Sequence, residues 1–146
     1  TYMVIEIKPE EIQSKVIDSP DLVMLLLWGK WDVPCIRAVQ YQKELSEKYK
    51  RYMRFYSIEA DQLNQEALSL LQPRIVPLSY FYYRGRLIER YITGPNRDLE
   101  IHVQAHLAWV RNYFDDYKPI IPDYWRPDID HNIPEAAGWC TPGYNC

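Results

Sequence analysis

Glycine, cysteine and long apolar runs are all scarce in this chain of 146 residues, and each scarcity excludes something. Five glycines are too few to hide a Gly-rich loop whose N–H groups could cradle phosphates, and none is written in the sequence. Three cysteines are too few for a disulfide scaffold and leave one unpaired within the chain, so a reducing compartment is expected. No apolar run approaches ~18 residues, so no membrane span is expected, and the N-terminus carries no signal-peptide pattern. Positive charge is not in excess: 17 Lys and Arg face 20 Asp and Glu, a formal net charge of -3. That leaves no basic field to neutralise a phosphate backbone, so nucleic acid is not an expected partner. No supported Ser/His/Asp grouping occurs. A chain that opens on Thr1 is expected to have been processed or trimmed.

Aromatic residues are plentiful. Thirteen Tyr and five Trp exceed what a small core needs, and the surplus is expected at interfaces. The 47% hydrophobic and 25% charged composition is that of an ordinary globular domain, one large enough to bury roughly 70% of its unfolded surface without a metal or a disulfide. The one basic stretch, residues 48–54 (KYKRYMR), is expected to be a solvated helix end running into a strand.

Residues 3–7 (MVIEI) alternate as a short strand. Pro9, Glu10 and Glu11 suit the first turn of a helix, which should stop near Ser19 and Pro20. Residues 22–28 (LVMLLLW) read as a buried central strand covered on both faces. After Pro34 a helix runs to about Lys50, with Ala38, Tyr41, Leu45 and Tyr49 on one buried stripe. Residues 53–58 alternate as a strand, and residues 64–71 form a short helix stopped by Pro73. Two strands, 78–83 and 87–92, flank Arg84-Gly85-Arg86, too short a link for anything but an antiparallel hairpin. After a break at residues 94–96, a last helix places Leu99, Val103, Leu107, Val110 and Phe114 on one stripe. The order βαβαβαββα predicts an α/β domain, residues 1–114, with a mixed sheet and helices on both faces.

Residues 115–146 break this pattern. Prolines at 119, 122, 127, 134 and 142 forbid a helix or a central strand. The segment is too rich in Ile, Tyr and Trp for a typical disordered tail. It is expected to be an extended arm lying against its own domain or a partner, with Tyr124, Trp125, Trp139 and Tyr144 as anchors.

The segment WGKWDVPC, residues 28–35, ends the central strand. The spacing Trp28-x-x-Trp31-x-x-Pro34-Cys35, the element order and the later Val76-Pro77 step together resemble the thioredoxin family, over most of residues 4–113. The resemblance matches the family's Trp-Cys-Gly-Pro-Cys to Trp31-Asp32-Val33-Pro34-Cys35 and its acidic strand end to residues 57–61. Its cis-proline falls on Pro77 and its hairpin glycine on Gly85. It also implies what has been lost. Asp32 stands at the attacking cysteine, Val33 at the turn glycine, Leu26 at the buried proton-accepting carboxylate, and Gln40 at the helix-kinking proline. Thiol–disulfide exchange needs an exposed thiolate and a resolving partner. Asp32 can cap a helix but cannot exchange disulfides. The site reads as degenerate, with no catalytic residue expected among Asp32, Val33, Pro34, Cys35 and Pro77.

Cys35, at the resolving position, is expected to be buried and inert. Cys140 and Cys146 are spaced to close a small loop under oxidising conditions. His102 and His106, four apart on a helix, share the geometry of a metal pair and of half-exposed histidines flanking a stripe; no third ligand is evident, so the second is expected. The run Asp128-x-Asp130-x-Asn132 lacks the glycine and closing glutamate of a calcium loop.

No cofactor or metal is expected. The expected function is that of a non-catalytic structural or accessory subunit of a larger protein assembly. Its partner contacts would be the old groove, Trp28, Trp31, Val76 and Pro77, and the C-terminal arm. A mitochondrial location suits such a subunit, with cytoplasm or cilium as alternatives. The competing reading is a monothiol redox protein or sensor using Cys35. A third is a chaperone-like module that holds unfolded chains weakly.

Overall fold

The computed structural model describes residues 4–93, 98–114 and 116–117. Strand β1 (Val4–Glu6) leads through a 3-10 turn (Pro9–Glu11) and a π-helical segment (Gln13–Ile17) to β2 (Leu22–Trp28). Helix α1 (Val33–Tyr49), β3 (Met53–Glu59), α2 (Gln65–Leu71), β4 (Leu78–Tyr83), β5 (Arg86–Ile92) and α3 (Leu99–Tyr113) follow. The five strands form one sheet in the order β1-β3-β2-β4-β5. The first three run parallel, and β4 and β5 run antiparallel to their neighbours. This is the mixed sheet expected from the element order, with helices on both faces.

β2 is central because its sequence suits no other place. Residues 22–27 are wholly buried. Leu22, Met24 and Leu26 join Ala38, Tyr41 and Leu45 of α1 and Leu99, Val103 and Leu107 of α3 in one core. Val23, Leu25 and Leu27 join Ile12, Val16, Ala67 and Leu71 in the other. At roughly 2 kcal/mol for each fully buried aliphatic side chain, the strand is held from both faces.

Three local expectations change. Residues 9–17 do not form one regular helix; the 3-10 turn passes into a π-helical segment whose bond runs from Asp18 N–H to Gln13 C=O, 2.8 Å. That geometry lets Ile12 and Val16 both reach the core. β3 does not alternate in burial. Only Arg54 is exposed, because β3 lies between β1 and β2 and is covered on both faces. The basic stretch is not solvated throughout: Arg51 is 1% exposed, with its guanidinium carbon 5.5 Å from the centre of the Tyr52 ring.

The β4–β5 link is a two-residue turn. Arg84 (φ 51°) and Gly85 (φ 82°) both take positive φ, as tight hairpins between right-twisted strands require. A Cβ on Gly85 would meet the Ile17 carbonyl oxygen at 2.9 Å. Arg84 takes the left-handed conformation at a cost of roughly 1–2 kcal/mol. Its stacking over Tyr83 (4.9 Å) and Phe114 (5.2 Å) and its 2.7 Å ion pair with Asp116 offset that cost.

Candidate functional site

The chemistry-bearing turn lies where β2 ends and α1 begins. Asp32 is the N-cap of α1, with extended backbone angles (φ -109°, ψ 120°). Cys35 N–H donates to its carboxylate at 3.3 Å, and the backbone C=O of Asp32 accepts from Cys35 N–H at 3.0 Å and Ile36 N–H at 3.2 Å. Pro34 sits in the first turn, where its missing N–H has no helical partner to lose. The Asp32 side chain is therefore spent on capping.

Cys35 points inward and is wholly buried. Burial pushes its thiol up to about 11, a hydrogen bond from the Gly29 backbone opposes this, and the nearby Asp32 carboxylate adds to the rise. At pH 7 roughly one molecule in 10⁴ would then carry the thiolate.

The tryptophans have different supports. Trp31 lies over Gly29: a Cβ on that glycine would meet the indole at 2.6–2.8 Å. The other side of the indole faces solvent, and Trp31 is 60% exposed. Trp28 is half-buried, and its indole N–H donates to Glu6 Oε1 at 3.2 Å. Ser57 O–H donates to the same oxygen at 2.6 Å. Glu6 thus joins β1, β2 and β3 at this end of the sheet. It is the residue that reading the sequence missed; its only local signal was a charge at the end of an alternating strand. Glu59, paired in register with Trp28, is also buried there.

The Val76–Pro77 peptide bond is cis. Pro77 is buried rather than exposed, and its carbonyl accepts from Thr93 N–H at 3.2 Å. Thr93 Oγ1 and Ser79 Oγ share a buried hydrogen bond of 2.6 Å. Pro77 therefore lies beneath the surface, while Ile75 is exposed and Val76 half-buried. Among the described residues, no backbone hydrogen bond outside the regular elements uses the N–H or C=O of Ile75 or Val76. Trp31, Val33, Pro34 and Ile36 of the turn are also exposed. The arrangement can offer apolar surface and main-chain hydrogen-bonding groups to an extended segment. The expected anchors Tyr124, Trp125, Trp139 and Tyr144, and Cys140 and Cys146, lie outside the described residues.

His102 and His106 gain a partner that the sequence did not reveal. Glu89 of β5 lies between them, 2.9 and 3.0 Å from His102 Nδ1 and 2.7 Å from His106 Nε2. His102 packs against Tyr91 (3.8 Å between ring centres) and His106 against Phe81 (4.6 Å). Burial pushes the Glu89 carboxyl up, but the hydrogen bonds and charges of both histidines outweigh it and its pKa falls below the usual value. Burial lowers His106, with Glu89 only partly compensating. The carboxylate fills the space toward which both ring nitrogens point, so this is an acid–base cluster. Among the described residues no group of three or more His, Cys, Asp and Glu could hold a metal ion. Among them, too, no helix is long and apolar enough to cross a membrane.

No protein-family model matches the chain. No curated protein matches it. Among solved structures it is similar to the thioredoxin of Malassezia sympodialis (Mala s 13), described as a member of a pan-allergen family. The TM-score is 0.62 at 18% identity, over 75% of this chain and 91% of that one. At such low identity the likeness is one of fold, and the chain has a thioredoxin-like fold.

Proposed function

We propose that this thioredoxin-like domain is a non-catalytic, structural or accessory subunit of a larger protein assembly. One observation carries the reading: Asp32, which the resemblance aligns with an attacking thiol, caps α1 with its carboxylate, while Cys35 is wholly buried. What remains at that end of the sheet is a surface. The exposed turn with Trp31 and Val33, and Ile75 and Val76 at the same end of the β2–β4 pair, suit a partner segment that adds along the chain before Pro77. The C-terminal arm supplies further anchors through Tyr124, Trp125, Trp139 and Tyr144, and a mitochondrial complex is the proposed setting.

The test is the native size of the chain in a gentle extract. Migration in a particle many times larger than 17.5 kDa, unchanged by reductant, is the expected result. Migration as a free small protein would overturn it. The monothiol alternative makes a separate prediction. A thiol at about pKa 11 holds roughly 300-fold less thiolate than an ordinary cysteine near 8.5. Alkylation of Cys35, followed by peptide mass spectrometry in the folded chain, should therefore be at least 100-fold slower than in urea. Comparable rates would restore the redox reading.

A further inference from the structure

The opposite end of the sheet carries a second surface. The β4–β5 hairpin tip and the end of α3 enclose a cavity of about 440 Å³, within the roughly 300–1,000 Å³ of ligand-binding clefts. Tyr83, Trp109 and Phe114 line it as three mutually edge-on rings, with centre separations of 4.9, 5.1 and 6.3 Å. Leu87 joins them, and Leu87 and Trp109 are 44% and 40% exposed. Ile88, Arg84 and Arg86 complete the lining.

The two arginines differ. Arg84 is fixed by its turn, its stacking on Tyr83 and Phe114, and its ion pair with Asp116. It shows how this wall holds a carboxylate. Arg86 is exposed, and among the described residues no ion pair engages it. We propose that this cavity docks a segment of another polypeptide carrying an aromatic or branched apolar side chain beside a carboxylate. The apolar side chain fills the space between Trp109 and Leu87, and the carboxylate pairs with Arg86. Charge complementarity selects this occupant. A nucleotide needs several donors for its phosphates, yet one cation is already engaged. The cavity also lies at the C-terminal end of α3, whose negative pole disfavours multiply charged anions.

The proposal rests on the subunit reading only for the existence of a partner, and its test is independent of it. Purified full-length chain is titrated with a fluorescein-labelled peptide centred on aspartate–tryptophan–leucine–glutamate, and with a twin whose carboxylates are amides. The acidic peptide should bind at least tenfold more tightly. Arg86→Gln should bring its affinity down to that of the twin. Leu87→Asp should weaken both peptides at least tenfold, whereas Trp31→Ala, at the far end of the sheet, should change neither. Equal affinity for the two peptides, no binding of either, or affinities unmoved by both Arg86→Gln and Leu87→Asp would overturn the proposal. A photo-crosslinking amino acid in place of Leu87 separates the remaining occupant. Crosslinks to residues 118–146 of the same chain would assign the cavity to that segment instead. Because the titration uses isolated protein, a chain found free in the extract would defeat the subunit reading and leave this result standing.

Discussion

At one end of β2 the chain caps α1 with Asp32 and buries the Cys35 thiol. At the other end, roughly 20 Å away along the strand, the described residues include no thiol. There a fixed Arg84, an exposed Arg86 and three packed rings surround an open cavity. The first end shows a turn whose polar groups are used to hold its own helix. Gly29 seats Trp31 and the Val76–Pro77 bond is cis, while Cys35 is wholly buried and Glu59 is a buried carboxylate at this end. The second end shows aromatic side chains performing two tasks at once, as Tyr83 and Phe114 pack in the core and orient a cation at the surface.

The contrast can be broken most severely at Leu26. Leu26→Asp would place a carboxylate where the resemblance expects one, but in a site with no exposure, within the apolar core and flanked in register only by Ser57 and Ser79, whose hydroxyls are already engaged by Glu6 and Thr93. Denaturant titration should show a loss of more than about 4 kcal/mol. A loss below about 1 kcal/mol would mean that this position accommodates a carboxylate. At the hairpin end, Tyr83→Ala removes a buried ring that touches Trp109, Phe114 and Arg84. It should cost about 3 kcal/mol, and near-ultraviolet circular dichroism should lose its aromatic signal before the fold is lost.

Asp32→Ala sharpens the capping assignment. It should lower stability by about 1 kcal/mol, with Asp32→Asn largely preserving it. An increase in stability on Asp32→Ala would show that the carboxylate is held there against the fold, as functional groups often are.

The smallest effect belongs to the Glu89 cluster. Glu89 is depressed in the folded state, so its contribution is present above the unfolded carboxylate value near 4.3 and is lost as the pH falls through its folded value. His106 is also depressed, so acidification below about 6.5 protonates the unfolded chain first and again lowers stability. Glu89→Gln should flatten the acid limb by about 0.5–1 kcal/mol. The same substitution should steepen the loss near pH 6, because His106 then faces burial without its partner. Thermal midpoints between pH 4 and 8 would register both changes.

Much of this architecture was legible locally. The uniform apolar run at 22–27 could only be a strand covered twice, and the spacing of Ala38, Tyr41, Leu45 and Tyr49 fixed the inner face of α1. Arg84-Gly85-Arg86 left room for nothing longer than a hairpin turn. The candidate site was legible only in part. Trp31, Asp32 and Cys35 could be assigned because a turn and the helix it opens are contiguous in the chain. Pro77 was expected on the groove surface and is buried, since its place depends on Thr93 across the hairpin.

What the sequence determined by itself was therefore whatever depends on near neighbours: strand and helix periods, the cap at Asp32, the turn at Gly85, and the absence of a second cysteine in the turn. Tertiary structure alone decided what Glu6, Arg51 and Glu89 do. Glu6 meets Ser57 across 51 positions, and Glu89 meets His106 across 17. Arg51 is buried although its neighbours in sequence read as solvated. A charged side chain looks the same locally whether it faces water or a partner. Its role is set by the hydrogen bonds that offset its desolvation, and those come from strands and helices that only the folded chain brings together.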